Sequence, residues 1–140
     1  MPEITGGCAC GKVRFKFTNA MGCAVCHCLD CQKASGGGPN YVVLALKDGF
    51  EVTQGEARTY VSKADSGSEV GRAFCADCGT PLWSAAPPGT PFNPVKLGAL
   101  DDSSGYMPGL HLYADSAQPW HLMHEGLARF PKMPPGPPPA

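Results

Sequence analysis

Charge is scarce in this chain. Charged residues make up 16% of its 140 positions, against about 25% in an ordinary soluble domain. The 11 Lys+Arg and 12 Asp+Glu nearly cancel, leaving a formal −1, so the one-signed field that draws a protein onto nucleic acid or anionic lipid is missing. Neither partner is expected. Long apolar runs are missing as well: nothing approaches the roughly 18 consecutive apolar residues of a membrane span. The opening MPEITGG has neither the basic region nor the apolar stretch of a secretory signal, and a soluble, cytoplasmic protein is expected. No alternation of strands with long helices is present, which argues against a doubly wound sheet. Gly-rich phosphate motifs and Ser/His/Asp constellations are absent too, and the length suits one domain rather than two.

What the chain does have is glycine, proline and cysteine. The 18 Gly and 15 Pro are about a quarter of it, a composition of turns and short segments. Eight cysteines decide the chemistry. In a reducing compartment clustered cysteines are metal ligands or redox groups before they are disulfides, and thiolate-rich sites select soft or borderline ions, zinc first.

Spacing divides the cysteines. Cys75-Ala76-Asp77-Cys78-Gly79 has the form of a zinc knuckle: two sulfurs from one tight turn, with a glycine that permits a left-handed backbone. Cys8-Ala9-Cys10-Gly11 carries the same punctuation just before a strand-like stretch. Together they make a closed four-thiolate site on Cys8, Cys10, Cys75 and Cys78, whose ion contributes folding free energy to a small domain. Cys26, Cys28 and Cys31 form C-x-C-x2-C, three ligands on one short segment with a fourth corner open, the arrangement of a catalytic metal. Cys23 is either a buried, unreactive thiol or the ligand that closes this second site. In the latter case the protein is a non-enzymatic two-zinc module for protein interaction.

Neighbouring residues are weighed by geometry. Side chains alternate along an extended segment, so His27 is expected to face away from a metal held by Cys26 and Cys28, in a supporting or solvent-facing role. Asp30 either approaches the open corner or caps a turn. His111 is an acid–base candidate or a strand histidine satisfied by a neighbour, and His121 and His124 lie near the tail. Lys33, Lys63 and Arg72 are candidate cations for a ligand's carboxylates.

The rest reads as short strands. Val13, Phe15 and Phe17 alternate with Lys12, Arg14 and Lys16, and Tyr41 to Leu46 is a β-rich apolar run. Strand candidates continue at 50–53, 57–61, 70–75, 80–84, 95–100 and 110–113, with the second knuckle at the tip of a hairpin. Gly36 to Gly38 lie in a loop where a substrate could approach the backbone. Leu122, Met123, Leu127 and Phe130 fall near helical spacing and suggest one short C-terminal helix over 122–130. An all-β domain over 1–131 is expected, followed by a disordered proline-rich tail over 132–140.

GGCACGKVRF, CHCLDCQKASG, FCADCGTPLW, LGALDD and HLYADSAQPW, in this order from Gly6 to about Pro131, resemble the glutathione-dependent formaldehyde-activating enzyme family, also known as the centromere protein V-like family. The resemblance implies an Mss4-like fold of small antiparallel sheets. It implies two Zn2+ ions, one structural on Cys8, Cys10, Cys75 and Cys78 and one catalytic on Cys26, Cys28 and Cys31, in agreement with the spacing. It further implies a carbon–sulfur lyase that joins glutathione to formaldehyde as S-hydroxymethylglutathione. The family's chromatin- and microtubule-associated members carry basic regions that this chain lacks.

Overall fold

A computed structural model describes residues 2–134. In chain order the elements are β1 (Ile4–Gly7), β2 (Arg14–Phe17), β3 (Ala20–Cys26), α1 (Leu29–Ser35), β4 (Asn40–Leu46), β5 (Glu51–Gln54), β6 (Arg58–Lys63), β7 (Glu69–Phe74), β8 (Pro81–Ala85), β9 (Phe92–Lys96), β10 (Leu110–Leu112) and β11 (Ala128–Arg129). Two short 3-10 turns, Leu97–Ala99 and Ala114–Ser116, complete them. The chain is mostly strand, as its short alternating segments require.

Two sheets result. β1, β2 and β5 make a three-stranded sheet in the order β1-β2-β5. The other strands form an eight-stranded sheet in the order β11-β10-β3-β4-β9-β8-β7-β6. Pairing is antiparallel except at β10, which runs parallel to both β3 and β11. Pro94 sits inside β9, where it donates no ladder hydrogen bond; the pairing of β9 with β8 is the single bridge Trp83↔Val95.

The main core lies between the sheets. Phe15 and Phe17 of β2 are 1% and 0% exposed and pack with Val43 and Ala45 of β4, Leu82 of β8 and Val95 of β9. Phe15, Phe50 and Trp83 meet with ring centroids 5.2–5.8 Å apart, the stacked and edge-on contacts that aromatic quadrupoles favour. Cys8 and Cys75 belong to the same cluster, so the first sulfur group is anchored in the core. A smaller apolar cluster of Ala24, Val42 and Leu112, with Cys26 and Tyr113 against it, supports the second.

The helix expected over 122–130 does not form. The chain turns at Glu125 and Gly126, pairs briefly as β11, and leaves Leu122 85% exposed. The seven-residue helix present is α1, which follows Cys28. Tertiary contacts outweigh the weak periodicity of the C-terminal segment, because His121 is buried while Leu122 faces outward. Residues 135–140 of the expected tail lie outside the described residues. No described helix is long and apolar enough to cross a membrane.

Candidate metal centres

Local turns shape the first sulfur group. The Gly11 and Gly79 amides return to the carbonyls of Cys8 and Cys75 at 3.1 and 2.8 Å, and both glycines have left-handed backbones, φ 82° and 78°. A side chain would strain each turn. These two tight turns, one before β2 and one at the β7–β8 tip, bring the sulfurs of Cys8, Cys10, Cys75 and Cys78 within 4.8 Å of one another. Cys8 and Cys10 stand 3.5 Å apart, and Cys10 and Cys75 3.7 Å. Sulfurs placed about 2.3 Å from a central ion define a tetrahedron with edges of about 3.8 Å, whereas a disulfide needs about 2.05 Å. All eight cysteines are free. The group therefore fits an ion.

Polar contacts tie the two turns together. The Thr80 hydroxyl accepts the Ala9 amide at 3.1 Å and lies 3.1 Å from Cys78 Sγ. That hydroxyl, followed by the amides of Thr80 and Cys10, pulls the Cys78 thiol down to about 5. The Val13 amide donates to Cys8 Sγ at 3.2 Å, and Lys12 pairs with Asp77 at 3.0 Å across the group. N–H groups aimed at sulfur favour the thiolate that a metal requires.

The second group assembles at the end of β3. Cys26, Cys28 and Cys31 place their sulfurs within 4.8 Å of one another. Cys28 is the N-cap of α1, and its Sγ accepts the Cys31 amide at 3.3 Å. Among the three thiols the Cys31 proton is held most loosely: hydrogen bonds from Cys26 and Cys28 bring it down to about 2, while Cys26 is pushed up by its contacts with Cys28 and Cys31 and by burial. The cluster holds one negative charge readily and the next reluctantly, as expected of sulfurs in contact without a cation between them.

Cys23 is not brought to this trio. Register pairs Cys26 with Asn40 and Cys23 with Val43, so the two cysteines lie on opposite faces of β3. Cys23 is 6% exposed and its thiol is pushed up by burial.

The sheet brings other groups to the face that carries Cys26. Asn40 lies opposite it in β4, and Lys96 of β9 lies opposite Val42, two residues further along the same face. Arg72 of β7 reaches Asp30 of α1 at 3.5 Å. Two buried donors, Asn40 Nδ2 and Arg72 Nε, have no partner among the described residues. Lys96 pairs with no acid among the described residues; burial lowers its pKa, opposed by the charges of Cys31, Cys26 and Cys28. Of the cations considered from sequence, Arg72 is therefore near the trio. Lys33 lines a cleft of about 410 Å³ with Leu29, Gln32, Gly36 and Gly37, and Lys63 is exposed on the edge strand β6.

Tyr113 also belongs here. It is the sole described non-glycine residue with positive φ, at 54°, a conformation that costs a bulky side chain about 1–2 kcal/mol. Its phenol is pushed up by burial, then by the charges of Asp65, Cys26 and Cys28. Neither Lys96 nor Tyr113 carries a signal in the sequence; the first is an ordinary strand lysine, the second an ordinary strand-end tyrosine.

The histidines are the largest departure from sequence reasoning. His27 turns away from the sulfurs as alternation predicts, but into the interior rather than to solvent: it and His111 are 0% exposed, and His121 is 8% exposed. The rings of His111 and His121 both meet that of His27, with centroids 5.1 Å apart in each case. Burial, then the charges of His111 and His121, lower the His27 pKa to about 4.

Residues 3–116 match the family model described as glutathione-dependent formaldehyde-activating enzyme. Among solved structures three chains match. One, a protein of Rhodobacter sphaeroides known from its crystal structure, is 17% identical, with a TM-score of 0.55 over 69% of this chain and 87% of that one; the likeness is one of fold. No curated protein matches.

Proposed function

The chain belongs to the glutathione-dependent formaldehyde-activating enzyme family, and from that premise we propose that it is a zinc-dependent carbon–sulfur lyase-type enzyme. It adds a thiol such as glutathione to a small aldehyde, formaldehyde first, giving an S-hydroxymethyl adduct. The observation that carries the reading is the trio of Cys26, Cys28 and Cys31, three converging ligands without a fourth among the described residues.

Cys8, Cys10, Cys75 and Cys78 hold a structural zinc, and Cys26, Cys28 and Cys31 hold the catalytic one. When bound there, zinc supplies an open position at which an incoming thiol, of pKa about 8.5 when free, is deprotonated at neutral pH. In the overall addition the thiol S–H bond breaks, a C–S bond forms to the carbonyl carbon, and the proton ends on the former carbonyl oxygen.

The chain's own residues manage charge and orientation. With three thiolates at the centre and the carboxylates of an anionic thiol nearby, the site would gather negative charges. Lys96 and Arg72 are the cations that offset them, which supports an anionic visitor over a neutral one. The free donors on Asn40 and Arg72 are suited to the alkoxide oxygen that develops on addition. Tyr113, whose raised pKa keeps its phenol protonated at neutral pH, provides a further hydroxyl donor.

Exchange NMR with formaldehyde and glutathione tests the reading. The metal-loaded protein is expected to speed interconversion of the free aldehyde and the adduct well beyond the uncatalysed rate, and Cys28→Ser to abolish the gain. Equal rates with and without the loaded protein would remove the proposal.

A further inference from the structure

Three of the chain's four histidines, His27, His111 and His121, meet in a hydrogen-bonded series whose direction is determined by its ends. The His124 amide donates to His111 Nε2 at 3.1 Å. That nitrogen is therefore bare, and His111 carries its proton on Nδ1. Nδ1 lies 2.9 Å from His27 Nε2, which accepts, so His27 carries its own proton on Nδ1. That atom lies 2.9 Å from His121 Nδ1, which also receives the Gln118 amide at 3.3 Å. His121 is left with a proton on Nε2, which it donates to the Gly37 carbonyl at 3.0 Å.

Every ring nitrogen of the three imidazoles is engaged along this series, His121 Nδ1 as acceptor from both His27 and the Gln118 amide. One proton per ring satisfies it. A peptide N–H closes one end and a peptide C=O the other, so no titratable partner stands at either end. The series is thus unsuited to a proton relay and suited to holding its members still.

What it holds is the segment between two sulfur ligands. Besides both ring nitrogens, the His27 amide donates to the Leu112 carbonyl at 2.9 Å, and the His27 carbonyl accepts from Gln32 Nε2 at 2.9 Å. All four polar atoms of His27 are engaged, with Cys26 and Cys28 on either side. We propose that His27, His111 and His121 are positioning residues of the three-cysteine centre, a tautomer-locked strut that fixes the Cys26–Cys28 segment against β10 and the glycine loop. This rests on reading that centre as a metal site. Groups that orient ligating segments typically contribute 10–100-fold to metal affinity.

Two measurements test it. Long-range 1H–15N correlation on the metal-loaded protein is expected to show His27 and His111 neutral with the proton on Nδ1, and His121 neutral with the proton on Nε2. A proton on Nε2 of His27 or His111 would overturn the assignment. The second uses protein produced with Co2+, read by its sulfur-to-metal charge-transfer absorption during competition with a chelator. His111→Phe, which keeps volume but no donor, is expected to release the ion of the three-cysteine centre at roughly 10–100-fold lower chelator concentration and to alter its spectrum. His111→Asn, whose amide can donate in place of Nδ1, is expected to recover most of the affinity. If His111→Phe does not fold, His121→Phe at the more accessible end of the series is read in the same way. A parent chain that takes up one ion overturns the metal reading and the strut with it. A parent with two ions, and a His111→Phe or His121→Phe variant with two held equally tightly, overturns the strut alone.

Discussion

Cys10 and Cys75 lie 65 positions apart in the chain, yet their sulfurs stand 3.7 Å apart, and the second of them is 1% exposed within the main core. An ion at this point joins the turn between β1 and β2 to the β7–β8 hairpin. Structural zinc contributes about 10–16 kcal/mol in small domains, comparable to the 5–15 kcal/mol of a whole domain's stability. Cys75→Ser is therefore expected to leave the chain largely unfolded at 25 °C, seen as loss of cooperative melting by circular dichroism. A strong chelator should do the same to the parent. A Cys75→Ser melt superimposable on the parent's would remove the structural role.

Cys28→Ser separates ligand chemistry from folding. Serine is a good helix N-cap, so α1 keeps its start, while the soft sulfur ligand is lost. The expected outcome is one bound ion per chain instead of two by elemental analysis, a melting temperature within a few degrees of the parent's, and loss of adduct formation by about 100-fold or more. Global unfolding of this variant would move the second ion into the structural class.

Lys96 offers a test of the charge argument. A unit charge several ångströms from another at the effective dielectric of a protein contributes on the order of 1–3 kcal/mol. Lys96→Met is expected to weaken thiol binding by roughly tenfold or more, read as a rise in KM for the thiol with the aldehyde saturating. Lys63→Met, on the exposed edge strand, should leave KM unchanged. Equal effects of the two substitutions would count against a specific role for Lys96.

Asp101 supplies a pH dependence away from the sulfurs. Arg14 and then the Thr5 hydroxyl hold its carboxyl at about 2, through contacts at 2.9 Å to Arg14 Nη1 and 2.6 Å to Thr5 Oγ1. A pKa below that of the unfolded chain adds stability above about pH 4, which is lost as pH falls from there toward 2. The carboxyl is about half exposed, so the contribution is small. Asp101→Asn is expected to lower the melting temperature by about 2–4 °C at pH 7 and to have little effect near pH 2. A shift that persists at the acid end would argue against the ionic contact.

Much of this protein was legible before its fold. The division of seven cysteines into four and three follows from short-range spacing, because ligands two or three residues apart, with a glycine after the second, can form only a few tight turns. Strand content follows likewise from alternation: Phe15 and Phe17 must share a face. Periodicity misled where no packing partner enforced it, over 122–130, since spacing alone does not say which side chains the rest of the molecule will bury.

The partners that meet across the sheet were decided by tertiary structure alone. Strand order places Lys96 and Asn40 on the face that carries Cys26, register turns Cys23 to the other side, and the parallel pairing of β10 with β3 delivers His111 to His27. Local sequence encodes a residue's chemistry and the geometry of its own turn. Which distant groups it meets depends on the burial of every strand at once, and that is why His27, His111 and His121 become a single buried series only in the folded chain.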